Sequence, residues 1–299
     1  MFDARDRQNT AGSLGFGLAV TGLVAGLFFT ILQFPSLTGA GKFPVKGSAE
    51  TEAVSSGVIK ATFSDEATLD YTEKLRRTFP SAASDLEREI QRAVDRGANE
   101  VELGLIVLQA GTPEIASSLD RLSKADVDYP NRIIDLTSSQ LNALNRSGAP
   151  YCMGDDLMMF AGLSQQELYR AVFDRVGHGA GLYEYALAIN GILLDAIHDA
   201  RLHPVLHSRL GAPDQGALKQ LGFALMTNPQ LVQLLTTEGK SRSEMDAVLA
   251  ETNFCELGTK LISQLDTLPD TTKGRLWGEA LRQIESGRWR YTLYRYTGY

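Results

Sequence analysis

The sequence predicts a mainly α protein: one N-terminal transmembrane helix followed by an aqueous domain that is helical, either throughout or after a small α/β subregion. Three observations carry this. No charged residue occurs between Gln8 and Gly41. From Ser164 onward, apolar residues recur at helical spacing between recognisable start and stop residues. The roughly 240 residues beyond the anchor and its linker are enough for a sizeable core without covalent staples. The expected division is a short tail over 1–10, a transmembrane anchor over 11–34, a linker over 35–57, a mixed or helical subregion over 58–148, a helical domain over 149–287 and an Arg/aromatic segment over 288–299.

The centre of the uncharged stretch, Leu14 to Phe34, is almost wholly apolar. At 1.5 Å per residue it spans about 30 Å, the thickness of a bilayer's hydrocarbon core. Gly12, Gly15, Ala19, Gly22, Gly26, Thr30 and Gln33 follow steps of three or four and share one helix face. Gly22 and Gly26 have the small-xxx-small spacing that lets two membrane helices approach closely, and Thr30 and Gln33 can hydrogen-bond across the contact. Leu18, Leu23, Leu27, Phe28, Phe29 and Ile31 suit lipid. The expectation is packing on another membrane protein or on itself. A cleavable signal peptide is the competing reading, with Thr38 and Ala40 as small residues before a cut. Its apolar core is normally shorter, and here Arg5 and Arg7 are offset by Asp3 and Asp6. Ser36 to Lys42 resembles a phosphate loop only in Gly41-Lys42; the first glycine and the final Ser/Thr are missing.

Flanking basic residues are balanced, Arg5 and Arg7 against Lys42 and Lys46, so the positive-inside count is a tie. A short tail before an uncleaved anchor and a large C-terminal domain most often leaves the tail in the cytoplasm. The expected location is therefore a cell inner membrane, single-pass, with the C-terminal domain periplasmic or otherwise extracytoplasmic. Cys152 and Cys255 can then close one disulfide; the other reading is two buried thiols. Two cysteines exclude a disulfide framework and a four-cysteine zinc site. Asn145-Arg-Ser147 is a glycosylation sequon, meaningful only in a eukaryotic secretory setting.

Along the domain, Pro35, Pro44 and scattered Gly and Ser mark the linker. Ser56 to Phe63 reads as a short strand. Leu86, Ile90 and Val94 recur at i, i+4 until Gly97 stops the helix. The Val, Ile and Leu run from Val101 to Gln109 suits a buried strand. Pro113 opens a helix to Leu122, and Asn131 to Leu136 reads as another strand. Ser164-Gln-Gln-Glu167 is a capping box for a helix to about Val176. A longer helix runs from Gly181 to Leu202, ended by His203-Pro204. Further helices are expected over about 214–226, 228–237, 243–266 and 272–286. Their frequency predicts a bundle or stacked hairpins, with no fixed-period repeat.

All four histidines lie between 178 and 207. Glu184, Asp195 and His198 share one face of the 181–202 helix, with His203 and His207 beyond it. Such a group can bind a metal or supply an acid and a base, but no His-Glu-x-x-His or paired Glu-x-x-His unit is present. The plainer reading is the solvent face of an amphipathic helix. Asp155 and Asp156 after Gly154 bind a cation or, by default, cap the next helix. No Gly-x-Ser-x-Gly elbow is present. Arg288, Trp289, Arg290, Tyr291, Tyr294, Arg295 and Tyr296 belong to a twelve-residue terminus with three arginines, five aromatics and no acid. It can pack as a last strand, dock on a partner or touch anionic lipid. We expect these seven residues to be partner-binding.

A net charge of −7 argues against general nucleic-acid binding. No catalytic, cofactor or metal residue is assigned, and no cofactor is expected. The preferred reading is an accessory, adaptor or assembly subunit of a membrane complex, not an enzyme. The runner-up is a membrane-tethered hydrolase or metal-dependent enzyme using the 184–207 region, and a third reading is a sensory domain signalling through its single helix.

Overall fold

A computed structural model describes residues 57–148, 152–158, 181–235 and 241–286. Of these residues 81% are helical and none lies in a strand, so the protein is mainly α. The described part forms two compact units. One takes residues 57–125 and 181–204, the other residues 126–148, 152–158, 205–235 and 241–286. The expected membrane helix over 11–34, the linker up to residue 56, the helix over 164–176 and the segment 288–299 lie outside the described residues. No described helix is long and apolar enough to cross a membrane.

The first unit begins with α1 (Gly57–Thr62), which buries Ile59. This corrects the strand expected from Ser56 to Phe63. Asp65 caps α2 (Glu66–Thr78), its carboxylate accepting from the Thr68 N–H at 2.8 Å. Phe79 ends α2, and Pro80 at the first position of α3 (Pro80–Asp95) starts the next helix at once. Gly97, at φ 77°, stops α3: the left-handed conformation lets the Ala98 N–H turn back to the Ala93 carbonyl at 2.9 Å. The run from Val101 to Gln109, which suited a buried strand, instead lies in α4 (Glu100–Gln109), capped by the Asn99 side chain on the Glu102 N–H at 2.9 Å. Its buried residues, Leu103, Gly104 and Val107, make an i, i+4 stripe, not an alternation. Two short helices, α5 (Thr112–Ala116) and α6 (Leu119–Leu122), replace the single helix expected to start at Pro113.

Helix α9 (Leu182–Leu202) completes this unit from far along the chain and packs on α2, α4, α5 and α6. Its buried positions run almost without break from Leu187 to Ala200, so it is covered on most faces, as a central helix must be. The helix was expected as amphipathic with a solvent face; the structure covers most of that face as well.

The second unit is built on α7 (Asp128–Ser147), which overrides the strand expected over 131–136. Ile133, Ile134, Thr137 and Leu144 are its buried residues, at helical spacing. It packs on α13 (Phe254–Asp266) and α14 (Asp270–Glu285). Where a single helix was expected over 243–266, two form: α12 (Arg242–Glu251) and α13. The break has a local cause, since Asn253 turns its side chain to cap α13 through the Glu256 N–H at 2.9 Å. The remaining helices are α8 (Gly154–Met158), α10 (Ala212–Met226) and α11 (Pro229–Leu235).

Candidate functional site

The 184–207 region holds the polar residues whose spacing drew attention, and α9 fixes most of them. Asp195 lies against α2, its side chain only 15% exposed. Its carboxylate pairs with the Arg77 guanidinium and stands 3.5 Å from Lys74 Nζ, which also binds Asp70 at 2.6 Å. Close approach is possible there because Gly191, one turn before Asp195, leaves the Lys74 stem room: a Cβ at Gly191 would stand 3.3 Å from Lys74 Cδ. Near the end of the helix Arg201 donates to the Thr78 carbonyl at 2.6 Å and lies over the Phe79 ring at 4.6 Å. Desolvation, followed by the charge of Arg121, lowers the Arg201 pKa. The two ion-pair partners and the cation–π contact make this face of α9 a seam between helices.

His178 lies outside the described residues, and the three described histidines do not join that seam into a reactive group. His203 Nδ1 contacts Asp199 at 3.1 Å, one turn back on its own helix, and is largely exposed. His198 is half-buried on α9. His207 belongs to the second unit, where its ring sits against α14: a Cβ at Gly274 would stand 2.8 Å from it. Among the described residues no three His, Cys, Asp or Glu side chains are grouped to hold a metal ion. Glu184 keeps one buried carboxylate oxygen with no hydrogen-bond partner. Beside it Tyr183 shares a 2.8 Å hydrogen bond with Thr68, and Tyr71 donates to the Ala110 carbonyl. Burial pushes both phenols well above their ordinary pKa, so neither is a ready base.

The second unit gathers its own polar cluster around the two cysteines. Cys152 and Cys255 are joined in a disulfide, with Cα atoms 5.0 Å apart and a sequence separation of 103. Beside the bond, Met153 and Asn253 form an isolated antiparallel bridge, and the Gly154 N–H donates to the Thr252 carbonyl at 2.9 Å. Glycine is required at 154, because a Cβ there would stand 1.6 Å from the Leu249 carbonyl oxygen. Asn253 Nδ2 also donates to Asn145 Oδ1 at 3.2 Å, which ties the end of α7 to the same point. Asp155 and Asp156 fall in the first turn of α8, where their charge favours the positive helix end, not at its cap.

The remaining assigned residues, those of the 12–33 stripe and the 288–296 cluster, lie outside the described part. Sequence reasoning missed Lys74 and Arg77 as partners of Asp195, and no local signal could have found them at a separation of 118 residues for the Arg77 pair. It also missed Asp214 and the exposed face of α10. A deficit of acidic residues around α10 was the available signal: Asp214 alone occurs between Asp199 and Glu238.

Comparison with known proteins returns no matching family model, no matching curated protein and no matching solved structure.

Proposed function

We propose that this chain is a single-pass, membrane-anchored accessory, adaptor or assembly subunit of a membrane complex. The observation that carries the reading is the uncharged stretch from Gln8 to Gly41 with small residues along one face. The aqueous domain supplies protein–protein contacts, and the Arg/aromatic segment over 288–299 has the residue types that dominate binding hot spots. The arrangement of α9 supports a structural role for the 184–207 region: Asp195 is held by Lys74 and Arg77, and His203 by Asp199. An extracytoplasmic domain is supported by the Cys152–Cys255 bond, since disulfides persist in oxidising compartments.

The test is extraction of the native full-length protein in mild detergent, followed by size separation and identification of what co-migrates. A stoichiometric membrane partner, lost when Gly22 and Gly26 are both replaced by leucine, is the expected result. A lone monomer would move the reading to a tethered enzyme, with Glu184 and His198 the next residues to replace. Co-migration unchanged by the double leucine variant would remove the glycine stripe from the contact.

A further inference from the structure

Helix α10 turns an unusual face outward. Lys219, Phe223 and Met226 follow at i, i+4, i+7, and all three are exposed, Phe223 by 74% and Met226 by 47%. Leu221, Gly222 and Leu225 occupy the inward side, so the outward pair is surplus to the core of the unit. Large apolar side chains exposed in company, not singly, are what a binding surface presents.

The charge around them is one-sided. Between Asp199 and Glu238 the sequence has a single acid, in a chain with 36 acidic residues in 299. That acid, Asp214, is 1% exposed and is neutralised within the unit by Arg275 at 3.1 Å. Arg209, just before α10, and Lys219 on it are exposed. The outward surface of this segment is therefore apolar and basic, with no exposed carboxylate over residues 205–235.

We propose that the outer face of α10, centred on Lys219, Phe223 and Met226, rests on the anionic headgroup surface of the bilayer in which residues 11–34 are anchored. This rests on the anchor reading above. Charge complementarity favours an anionic surface, because Arg209 and Lys219 are exposed and residues 205–235 expose no carboxylate. The residues from 35 to 56 can extend at most about 75 Å, which limits how far the anchor can lie from the start of the described chain. A tether of that length turns weak surface binding into an intramolecular event at high effective concentration.

The experiment uses the full-length protein carrying F223W, inserted in vesicles of phosphatidylcholine with or without phosphatidylglycerol, with brominated acyl chains as contact quenchers. The unsubstituted protein, measured in parallel, removes the signal of Trp277 and Trp289. Phe223 is exposed, so the substitution leaves the fold intact. The expected result is that the added indole emission shifts to shorter wavelength and is quenched in vesicles containing phosphatidylglycerol. K219E and R209E should each weaken that quenching by about fivefold or more at low salt. Protein that floats with the vesicles but keeps an unquenched, red-shifted indole overturns the α10 contact and leaves the anchor standing. Protein that does not float with vesicles overturns both. A shift that grows with protein concentration and is insensitive to bromine identifies a second copy as the occupant, and also overturns the proposal.

Discussion

At the residue scale, Asp214 shows how a buried charge is kept. Burial alone would push its pKa up. The Gly211 N–H at 2.9 Å, the Thr272 hydroxyl at 2.9 Å and Arg275 at 3.1 Å together outweigh that and hold the carboxyl below its ordinary value. A carboxyl whose folded-state pKa is depressed contributes stability that is fully present above its unfolded pKa of about 3.9. That stability is lost as pH falls through the lower folded value. Replacing the carboxylate by an amide puts an NH2 group where one oxygen accepted from two donors, and removes the charge. D214N is expected to lose about 2 kcal/mol at pH 7, read as a lower urea midpoint. The gap from the unsubstituted protein should stay constant above about pH 5 and narrow below about pH 4. A gap of the same size at pH 3 would show that packing, not ionisation, is at stake. The sequence predicted a helix over about 214–226 but not the role of Asp214, because Arg275 lies 61 residues further along.

At the scale of elements, helix ends were readable wherever a stop or cap residue is local. Gly97 ends α3 and His203 ends α9, both as their types require. Short apolar runs were not readable. Val101 to Gln109 and Asn131 to Leu136 have compositions that satisfy a buried strand and a helix segment equally, so periodicity could not arbitrate. What decides is tertiary: a strand needs an edge to pair with, and no described residue belongs to a strand. A helix closes its own hydrogen bonds, and Asn99 supplies the missing cap for the first of these runs. The seam between α2 and α9 was hidden for the same reason, being a contact between distant elements. Its energy is modest, because Arg77 is half-exposed and Lys74 is 20% exposed. D195N should cost about 1 kcal/mol in low salt, followed by thermal denaturation. That cost should shrink in about 1 M salt, where the Debye length falls to about 3 Å. A cost that is independent of salt would assign the effect to the hydrogen bonds and packing of α9 instead.

At the scale of the whole molecule, the chain leaves one compact unit and returns to it. Residues 126–148, 152–158, 205–235 and 241–286 contribute to the second unit, while 181–204 belong to the first. A single crosslink, Cys152 to Cys255, joins the outgoing and returning segments across that excursion. In the chain-entropy model a closed loop of about 100 residues is worth roughly 4–5 kcal/mol, because it restricts the unfolded state. Among the described residues, hydrogen bonds of Gly154 and Asn253 also hold the segments at this point. Replacing both cysteines by serine should therefore lower the unfolding free energy by about 2–5 kcal/mol, and reductant should do the same to the unsubstituted protein and nothing further to the variant. The same pair reports where the domain resides. In intact cells treated with a thiol-alkylating reagent before lysis, a bonded pair stays unlabelled until reduction, whereas a domain facing a reducing cytoplasm takes up two labels at once after mild denaturation. Two labels without prior reduction would place the domain on the cytoplasmic side. The anchor proposed over residues 11–34 would then have the opposite orientation, and the stability from this loop would be absent in the cell.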